Sequence, residues 1–176
     1  MSDALTVEVV TTPEQLAAAL TIRVTVFVGE QRVPLELEED DADHEPGTVH
    51  LLALLGGAPV GAARLLPPHA PGEAAHIGRV AVLQHARGRH IGVALMRAAE
   101  AEAWRRCTHG VWPPADVDPA FGAAPALRIE LSAQEAAVPF YQRLGYAVGE
   151  RRYLDAGIWH RDAARTLTGP PAGNAH

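Results

Sequence analysis

The segment from Val80 to Gly92 constrains the fold of this chain more than any other stretch of its sequence. It reads Val-Ala-Val-Leu-Gln-His-Ala-Arg-Gly-Arg-His-Ile-Gly, which predicts a strand, a basic turn and the start of an amphipathic helix. At a helix start, backbone N–H groups lack partners within the helix and the helix dipole is positive. Such a turn can bind a pyrophosphate, with Gly88 admitting the phosphates to the backbone and Arg87 and Arg89 adding positive charge. Ordinary turns that bind nothing also use Gly and Arg.

The N-terminal part of the chain predicts a strand followed by a long helix. Alternating apolar residues predict the strand Leu5–Val10. Thr12 is the expected N-cap, Pro13 suits the first helical position, and Gln15 stands three residues after Thr12 in capping-box spacing. The helix is expected to reach about Glu30. The apolar side chains expected to face the core recur at helical spacing: Leu16, Leu20, Val24 and Phe27.

The rest of the chain predicts strands alternating with helices in an α/β arrangement around one mixed sheet. One proline-rich stretch, 108–126, is expected to be an irregular surface insertion, and the Gly- and Pro-rich tail 168–176 is expected to be disordered. We therefore expect a single domain over residues 1–167. In chain order the expected elements are strands 50–55, 59–66 and 74–83, a helix 91–107, a strand 127–131, a helix 134–144, and strands 146–153 and 158–160.

Two motifs resemble those of the GNAT N-acetyltransferases. The stretch Arg87–Gly92 is similar to the family signature of Arg or Gln, two residues, Gly, one residue, then Gly or Ala, although His90 stands where the middle glycine usually lies. The stretch Phe140–Tyr146 resembles the second motif, Phe-Tyr-x-x-Leu-Gly-Phe/Tyr. Segments around Val26–Gln31 and Tyr153–His160 are similar to a bacterial subgroup of that family. The resemblance implies a GNAT-type fold, a mixed twisted sheet flanked by helices.

The resemblance also implies acetyl-CoA as acyl donor and an amine, either a small molecule or a peptide, as acceptor. The pantetheine arm is expected in a split between the strands that contain Val80 and Leu127. Tyr141 is expected to protonate the departing thiolate, since a phenol and an alkyl thiol have similar acidities. Glu30 is a candidate base with Asp40 behind it, and pairing of Glu30 with an arginine is the equal alternative. The expected cofactor-binding residues are Val80, Val82, Arg87, Gly88, Arg89, His90, Ile91 and Gly92.

Composition excludes several other classes of function. The chain has 176 residues, is 48% hydrophobic and carries a formal net charge of -6, which argues against nucleic-acid and anionic-membrane partners. It has no apolar run long enough to cross a membrane and no secretory signal pattern, so we expect a cytoplasmic protein. A homodimer is left open. Cys107 is expected to be a small packing residue.

The acidic segment Leu35–Glu45 carries seven carboxylates, and we expect an exposed loop or short helix rather than a metal site, because the spacing of a calcium loop is missing. The segment could instead attract a cationic acceptor. Arg64 and Arg79 lie within apolar strands and are expected to pair with acidic residues such as Glu30 or Asp40. Two other functions stay open: a non-catalytic acyl-CoA sensor and an acyl-homoserine-lactone synthase.

Overall fold

A computed structural model describes residues 4–113, 116–117 and 125–171, without the side chains of 116–117. The chain divides into two compact units. The first contains the described residues up to Leu66 together with Ile77–Ala99, and the second contains Pro67–His76 and the described residues from Glu100 onwards. Strand β4 and helix α3, defined below, each contribute residues to both units.

The first unit begins with three antiparallel strands and a capped helix. The strands follow the hydrogen-bonded order β1-β2-β3-β4, with Leu5 opposite Leu55 and Leu51 opposite Ala63. The elements that lie wholly or partly in this unit are β1 (Leu5–Val9), α1 (Pro13–Arg23), a π-helical segment (Val24–Glu30), α2 (Leu35–Glu38), a 3₁₀ turn (Asp41–Asp43), β2 (Val49–Leu55), β3 (Ala58–Leu66), β4 (Ala75–Val82), a 3₁₀ turn (Gln84–Ala86) and α3 (Ile91–Thr108).

The capping box predicted for α1 is confirmed. The Thr12 hydroxyl accepts a 3.2 Å hydrogen bond from the backbone N–H of Gln15, and the Gln15 side chain accepts one from the backbone N–H of Thr12. Pro13 occupies the first turn, where a missing N–H costs nothing.

The face of this helix that meets the core differs from the prediction. The buried residues are Ala19, Ile22 and Val26. The residues predicted to face the core are only half-buried: Leu16, Leu20, Val24 and Phe27. The small Ala19 side chain allows the helix to lie close to the sheet. Beyond Arg23, π-helical hydrogen bonds such as Gln31 N to Val26 O change the helical period, so a 3.6-residue pattern loses register there.

Two glycine features shape the sheet of the first unit. The predicted β2–β3 hairpin is confirmed, and Gly56 and Gly57 both have positive φ, of 58° and 84°, as a type I′ turn requires. Within β3, a Cβ on Gly61 would lie 3.0 Å from side-chain atoms of Ile91 and of Leu95. The first turns of α3 therefore pack directly on the backbone of β3.

The second unit contains the end of α3 and the remaining strands. The start of β4 pairs in parallel with β6 at Ala75–Ile129 and His76–Glu130, while β6 and β8, and β8 and β7, pair antiparallel. The expected split between β4 and β6 stays a prediction. The further elements are β5 (Asp116–Val117), β6 (Pro125–Gln134), a 3₁₀ turn (Glu135–Ala137), α4 (Val138–Arg143), β7 (Ala147–Asp155) and β8 (Ile158–Leu167).

Two predicted elements of this unit have different limits in the structure. Gln134 is the last residue of β6, so the helix expected from 134 to 144 shortens to α4 after a 3₁₀ turn. The last strand, expected over 158–160, runs ten residues to Leu167 because it lies between β6 and β7 and pairs with both.

The expected insertion and tail are only partly described. Within 108–126, Trp112 is buried beneath the Arg106 guanidinium, and the two residues of β5 pair with the start of β6. Residues 114–115, 118–124 and 172–176 lie outside the described residues, so the expected irregular and disordered character there stays a prediction.

Candidate active site

The sequence predicts a pyrophosphate site at the basic turn and the start of α3. Gly88 and His90 both have positive φ, 78° and 59°, and both side-chain positions are exposed. The His90 carbonyl accepts a 3.0 Å hydrogen bond from Ala94 N, so His90 caps an eighteen-residue helix. The N–H groups of Ile91, Gly92 and Val93 therefore have no acceptor within the helix. These groups and the positive helix end are suited to bind an anion.

Conformation explains the glycine in this turn. No atom lies within 4 Å of a Cβ placed on Gly88, so its side-chain space is open, but its φ of 78° is unfavourable for any other residue. His90 adopts the same left-handed region without that freedom, at the position where the family signature usually has glycine. The turn thus keeps the course that two glycines would give it.

Glu30 and Arg87 form an ion pair beside this turn. The Arg87 Nη2 lies 2.6 Å from Glu30 Oε2, and its Nε donates a 3.0 Å hydrogen bond to the Val82 carbonyl. Val80 and Val82 are half-buried on β4. The structure thus brings together a predicted base, a predicted phosphate ligand and the strand expected to contact pantetheine.

The acidic segment is not the exposed stretch that the sequence predicts. Glu38 is 2% exposed and Asp43 is 4% exposed, and both bind the buried side chain of Arg23. Arg23 Nε donates to Glu38 Oε1 at 2.6 Å, and its two Nη atoms contact Asp43. Burial by itself raises the pKa of Asp43, but hydrogen bonds and charge from Arg23 outweigh it and hold the pKa far below its usual value.

Two more arginines extend this buried network to the sheet. Arg64 Nη1 lies 2.5 Å from Asp40 and 2.9 Å from Asp43, and Arg79 Nη2 lies 3.2 Å from Asp40. The predicted pairing of Arg64 and Arg79 with Asp40 is confirmed, and Glu30 pairs instead with Arg87. Burial raises the pKa of Asp40, but Arg64 outweighs it, so the pKa is lowered.

Arg79 also anchors the acidic segment through backbone atoms. Its guanidinium donates to the Leu37 and Glu38 carbonyls at 3.0 and 3.2 Å. Its own φ is 53°, a strained value for a non-glycine residue in a strand, and these bonds hold it there. The residue before Val80 is therefore tied to the acidic segment. Among the described residues, no group of three histidine, cysteine or carboxylate side chains is arranged to hold a metal.

Tyr141 lies in α4 of the second unit and is 9% exposed. Its ring makes edge contacts with Phe140 and Tyr146 at centroid distances of 5.0 and 6.0 Å. Burial raises the pKa of Tyr141 to about 12. Tyr141 thus carries a phenol that stays protonated throughout the neutral range.

The predicted end of helix α4 is confirmed, because Gly145 follows it with φ of 89°.

A buried hydrogen-bonded group beside Tyr141 was missed by sequence reasoning. The Tyr146 hydroxyl donates a 2.8 Å hydrogen bond to Glu100, which is 1% exposed, and Arg165 Nη1 lies 3.0 Å from the same carboxylate. Burial, followed by the charge of Glu100, raises the pKa of Tyr146 well above its usual value. A weak signal was present in the sequence: Glu100 lies four residues after Met96 and three before Ala103, so the helical spacing places it beside apolar positions.

The model of the acetyltransferase (GNAT) domain matches residues 46–148 of this chain, which is more than half of its length. The chain belongs to the GNAT family. It is 36% identical to the N-acetyltransferase YjcF of Bacillus subtilis over 148 residues, covering 84% of this chain and 89% of that protein. Protein ElaA of Escherichia coli is 32% identical over 153 residues, covering 87% of this chain and 88% of ElaA.

Solved structures show the GNAT fold as well. An acyl-CoA N-acyltransferase from Pseudomonas aeruginosa superimposes with a TM-score of 0.73 at 30% identity, covering 92% of this chain and 99% of that one. The crystal structure of ElaA gives a TM-score of 0.70 at 28% identity, with 92% and 99% covered. The expected fold is confirmed, and this GNAT chain is an acyltransferase.

The predicted site residues of this acyltransferase fall in both units. Glu30, Val80, Val82 and the residues Arg87–Gly92 lie in the first, and Tyr141 lies in the second. Cys107 is buried, and burial raises the pKa of its thiol to about 11, as suits a packing residue. No described helix is long and apolar enough to span a membrane.

Proposed function

We propose that this GNAT acyltransferase passes the acetyl group of acetyl-CoA directly to an amine in the cytoplasm. The observation that carries the proposal is the turn Arg87–His90, whose two positive φ values precede the free N–H groups of an eighteen-residue helix. A pyrophosphate supplies the acceptors that these groups lack. Gly88, Arg89, His90, Ile91 and Gly92 then bind the phosphates of CoA.

Arg87 is held in a fixed position at the start of the proposed phosphate site. Its ion pair with Glu30 and its bond to the Val82 carbonyl hold its side chain across the start of the turn. The main chain of Val80 and Val82 bonds the pantetheine arm and polarises the thioester carbonyl, which requires backbone N–H groups and no particular side chain. Arg79, fixed to the acidic segment, determines the backbone course at Val80.

Tyr141 is the proposed proton donor. When the amine attacks the thioester carbon, the carbon–sulfur bond breaks and the thiolate leaves. The Tyr141 hydroxyl protonates this sulfur and is reprotonated from the amide-forming nitrogen through solvent. Burial, which raises the pKa of the phenol to about 12, also makes it a weaker acid than a thiol in water. The proton moves to the sulfur as the carbon–sulfur bond breaks in the same desolvated surroundings, because burial raises the basicity of the thiolate as well. Because the Cys107 thiol is buried and protonated, direct transfer is favoured over an acyl-cysteine.

Glu30 remains the base predicted from the sequence, but its ion pair favours a positioning part. Its carboxylate is already engaged by the Arg87 guanidinium at 2.6 Å, so it holds the side chain of Arg87 in place at the turn. The acceptor itself is a small-molecule or peptide amine.

Thiol release and ligand-dependent melting together test the proposal. Acetyl-CoA at about a hundred times its dissociation constant should stabilise the fold by roughly 2.7 kcal/mol, whereas NAD and ATP should not. A panel of small amines and peptide N-termini should then release CoA thiol in proportion to acetylated amine. Binding without turnover across the panel would favour a sensor, and an unchanged melting temperature would exclude the cofactor assignment.

A further inference from the structure

A polar cluster on one face of β6, β7 and β8 lies outside the site described above. Register places Ser132 opposite Asp162, and Tyr153 opposite His160, so alternate residues of these strands share that face. The face borders an open cleft of about 1010 Å³. Among the residues that line the cleft are His76, Arg128, Glu130, Ser132, Asp162 and Thr166.

Tyr153 connects the members of this cluster. Its hydroxyl forms a short hydrogen bond with the Ser132 hydroxyl and donates to Asp162 Oδ1 at 2.9 Å. Its ring stacks on the His160 ring, with centroids 6.0 Å apart and an interplanar angle of 19°. Tyr153 thus links His160 to Ser132 and Asp162, the two members of the cluster that line the cleft.

The hydrogen bonding of His160 fixes which ring nitrogen can accept a proton. Nδ1 lies 2.8 Å from the Ile158 carbonyl oxygen, and a carbonyl only accepts, so Nδ1 carries the hydrogen. In the neutral ring, Nε2 therefore presents a lone pair. No other described residue forms a hydrogen bond with Nε2. The residue as a whole is only 8% exposed, but Nε2 is not among the fully buried atoms that lack a partner.

Asp162 differs from the other acidic group of the cleft. Glu130 lies 2.6 Å from Arg128, but Asp162 has no cationic partner among the described residues. Asp162 and His160 are two residues apart on one strand, a spacing of about 6.8 Å. Their side chains therefore project from the same face of β8.

We propose that Asp162 and His160 form the amine-acceptor subsite of this enzyme, with Asp162 binding the ammonium group and His160 Nε2 taking its proton. The inference rests on the proposed function and identifies the acceptor as an amine that arrives as a cation. Loss of one N–H proton to Nε2 leaves a neutral amine whose lone pair attacks the thioester carbon. His160 returns this proton to solvent. The second N–H proton, released as the amide forms, balances the proton that Tyr141 gives to the thiolate.

The other candidate bases are less free to act. Glu30 is held by Arg87, and the pKa of Asp40 is lowered by Arg64, which outweighs the opposing effect of burial. Within the described part of the chain, no arginine or lysine side chain contacts His160. The titratable groups nearest to it are Tyr153, which stacks on its ring, and Asp162, which is bonded to Tyr153.

A pair of matched acceptors tests His160. A primary alkylamine is an ammonium at neutral pH, whereas the aminooxy compound of the same shape is already neutral and needs no base before it attacks. His160→Gln should lower kcat/KM about 100-fold or more for the alkylamine and less than about fivefold for the aminooxy compound. His69→Gln, a change at an exposed histidine between β3 and β4, should affect neither. The melting shift caused by acetyl-CoA should be the same in all three proteins.

Equal losses with both acceptors would overturn the assignment, because a structural role affects both alike. Asp162→Asn should raise KM for the alkylamine about tenfold or more while leaving kcat within a few-fold and the aminooxy KM unchanged. An unchanged KM for the cation would overturn the part given to Asp162. If the wild-type enzyme acetylates neither acceptor, both the proposed function and this inference fail. If the wild-type enzyme acetylates both acceptors and His160→Gln does so at the same rates, only this inference fails.

Discussion

The guanidinium of Arg23 donates to both carboxylate oxygens of Asp43, at 2.6 and 3.0 Å, in a place where neither side chain is exposed beyond 1%. The same guanidinium holds Glu38 through Nε and through the Glu38 backbone carbonyl. Two carboxylates thus depend on one buried cation, with Arg64 supporting Asp43 from β3. The fold of the acidic segment rests on this arrangement.

Replacing Arg23 should therefore destabilise the protein far more than replacing a surface arginine. Arg23→Met leaves two buried carboxylates without their main partner and should cost about 3–5 kcal/mol in the free energy of unfolding. Arg105→Met removes an exposed pair with Glu102 and should cost less than about 1 kcal/mol. Urea unfolding followed by circular dichroism measures both. Similar losses would show that the buried network contributes little.

The depressed pKa of Asp43 predicts a loss of stability in acid. Burial raises this pKa, but Arg23 lowers it more, so the folded-state value lies well below the ordinary 3.8. A lowered pKa stabilises the fold above the unfolded-state value, and this contribution is lost as the pH falls through 3.8 towards the folded-state value. Urea midpoints of wild type and Asp43→Asn should therefore converge between about pH 5 and pH 2. Parallel curves over that range would contradict the prediction.

His90→Gly should be tolerated and should bind acetyl-CoA at least as well as wild type. The left-handed backbone costs a non-glycine residue about 1–2 kcal/mol, which exceeds the entropic cost of glycine, about 0.5–1 kcal/mol. A melting temperature equal to or slightly above that of wild type is expected. His90→Val is the matched opposite, since a β-branched residue fits positive φ poorly and should lower both stability and affinity. Melting curves with and without acetyl-CoA compare the three proteins.

Gly88→Asp should weaken acetyl-CoA binding about tenfold or more, because it places an anion where we propose that the phosphates bind. Gly57→Asp is the control: both glycines have positive φ, 78° and 84°, and open space around a Cβ, so both changes introduce similar backbone strain. Only the change at Gly88 should alter the dissociation constant, measured by calorimetry. Equal affinities in the two variants would place the pyrophosphate elsewhere.

Tyr141→Phe should lower kcat by about 10²–10⁴-fold and leave the affinity for acetyl-CoA nearly unchanged, because ring packing survives and only the proton donor is lost. Since the wild-type pKa is about 12, this phenol should produce no alkaline limb in the rate profile below about pH 11. Tyr146→Phe, which removes a bond to Glu100, should reduce stability but not kcat. A kcat unaffected by the change at Tyr141 would make that residue a packing residue.

Local signals in the sequence predicted much of this fold. The Thr12 cap, the Gly56–Gly57 hairpin and the stop at Gly145 depend on neighbouring residues and on backbone conformation, and all three are present. The turn proposed to bind the phosphates belongs to the same class, because its glycine, its basic residues and the following helix are contiguous.

Long-range charge pairing could not be predicted in the same way. Glu38 and Asp43 lie in a run of acidic residues that ordinarily stays in water, and their burial requires Arg23, fifteen and twenty residues earlier. The length of β8 and the cluster around Tyr153 likewise depend on strand register, which a single sequence determines poorly. The residues of the proposed acceptor subsite become neighbours only once β6, β7 and β8 are paired.

The close packing at Gly61 links the proposed donor site to residues outside it. With Ile91 and Leu95 resting on bare backbone, no intervening side chain can absorb a shift between β3 and α3. A methyl group added there would require Ile91, Leu95 or the Ala81 carbonyl to move by a few tenths of an ångström, next to the helix turn at which we propose that the phosphates bind. In a genetic screen, such a change would resemble a defect in cofactor affinity although it touches no cofactor.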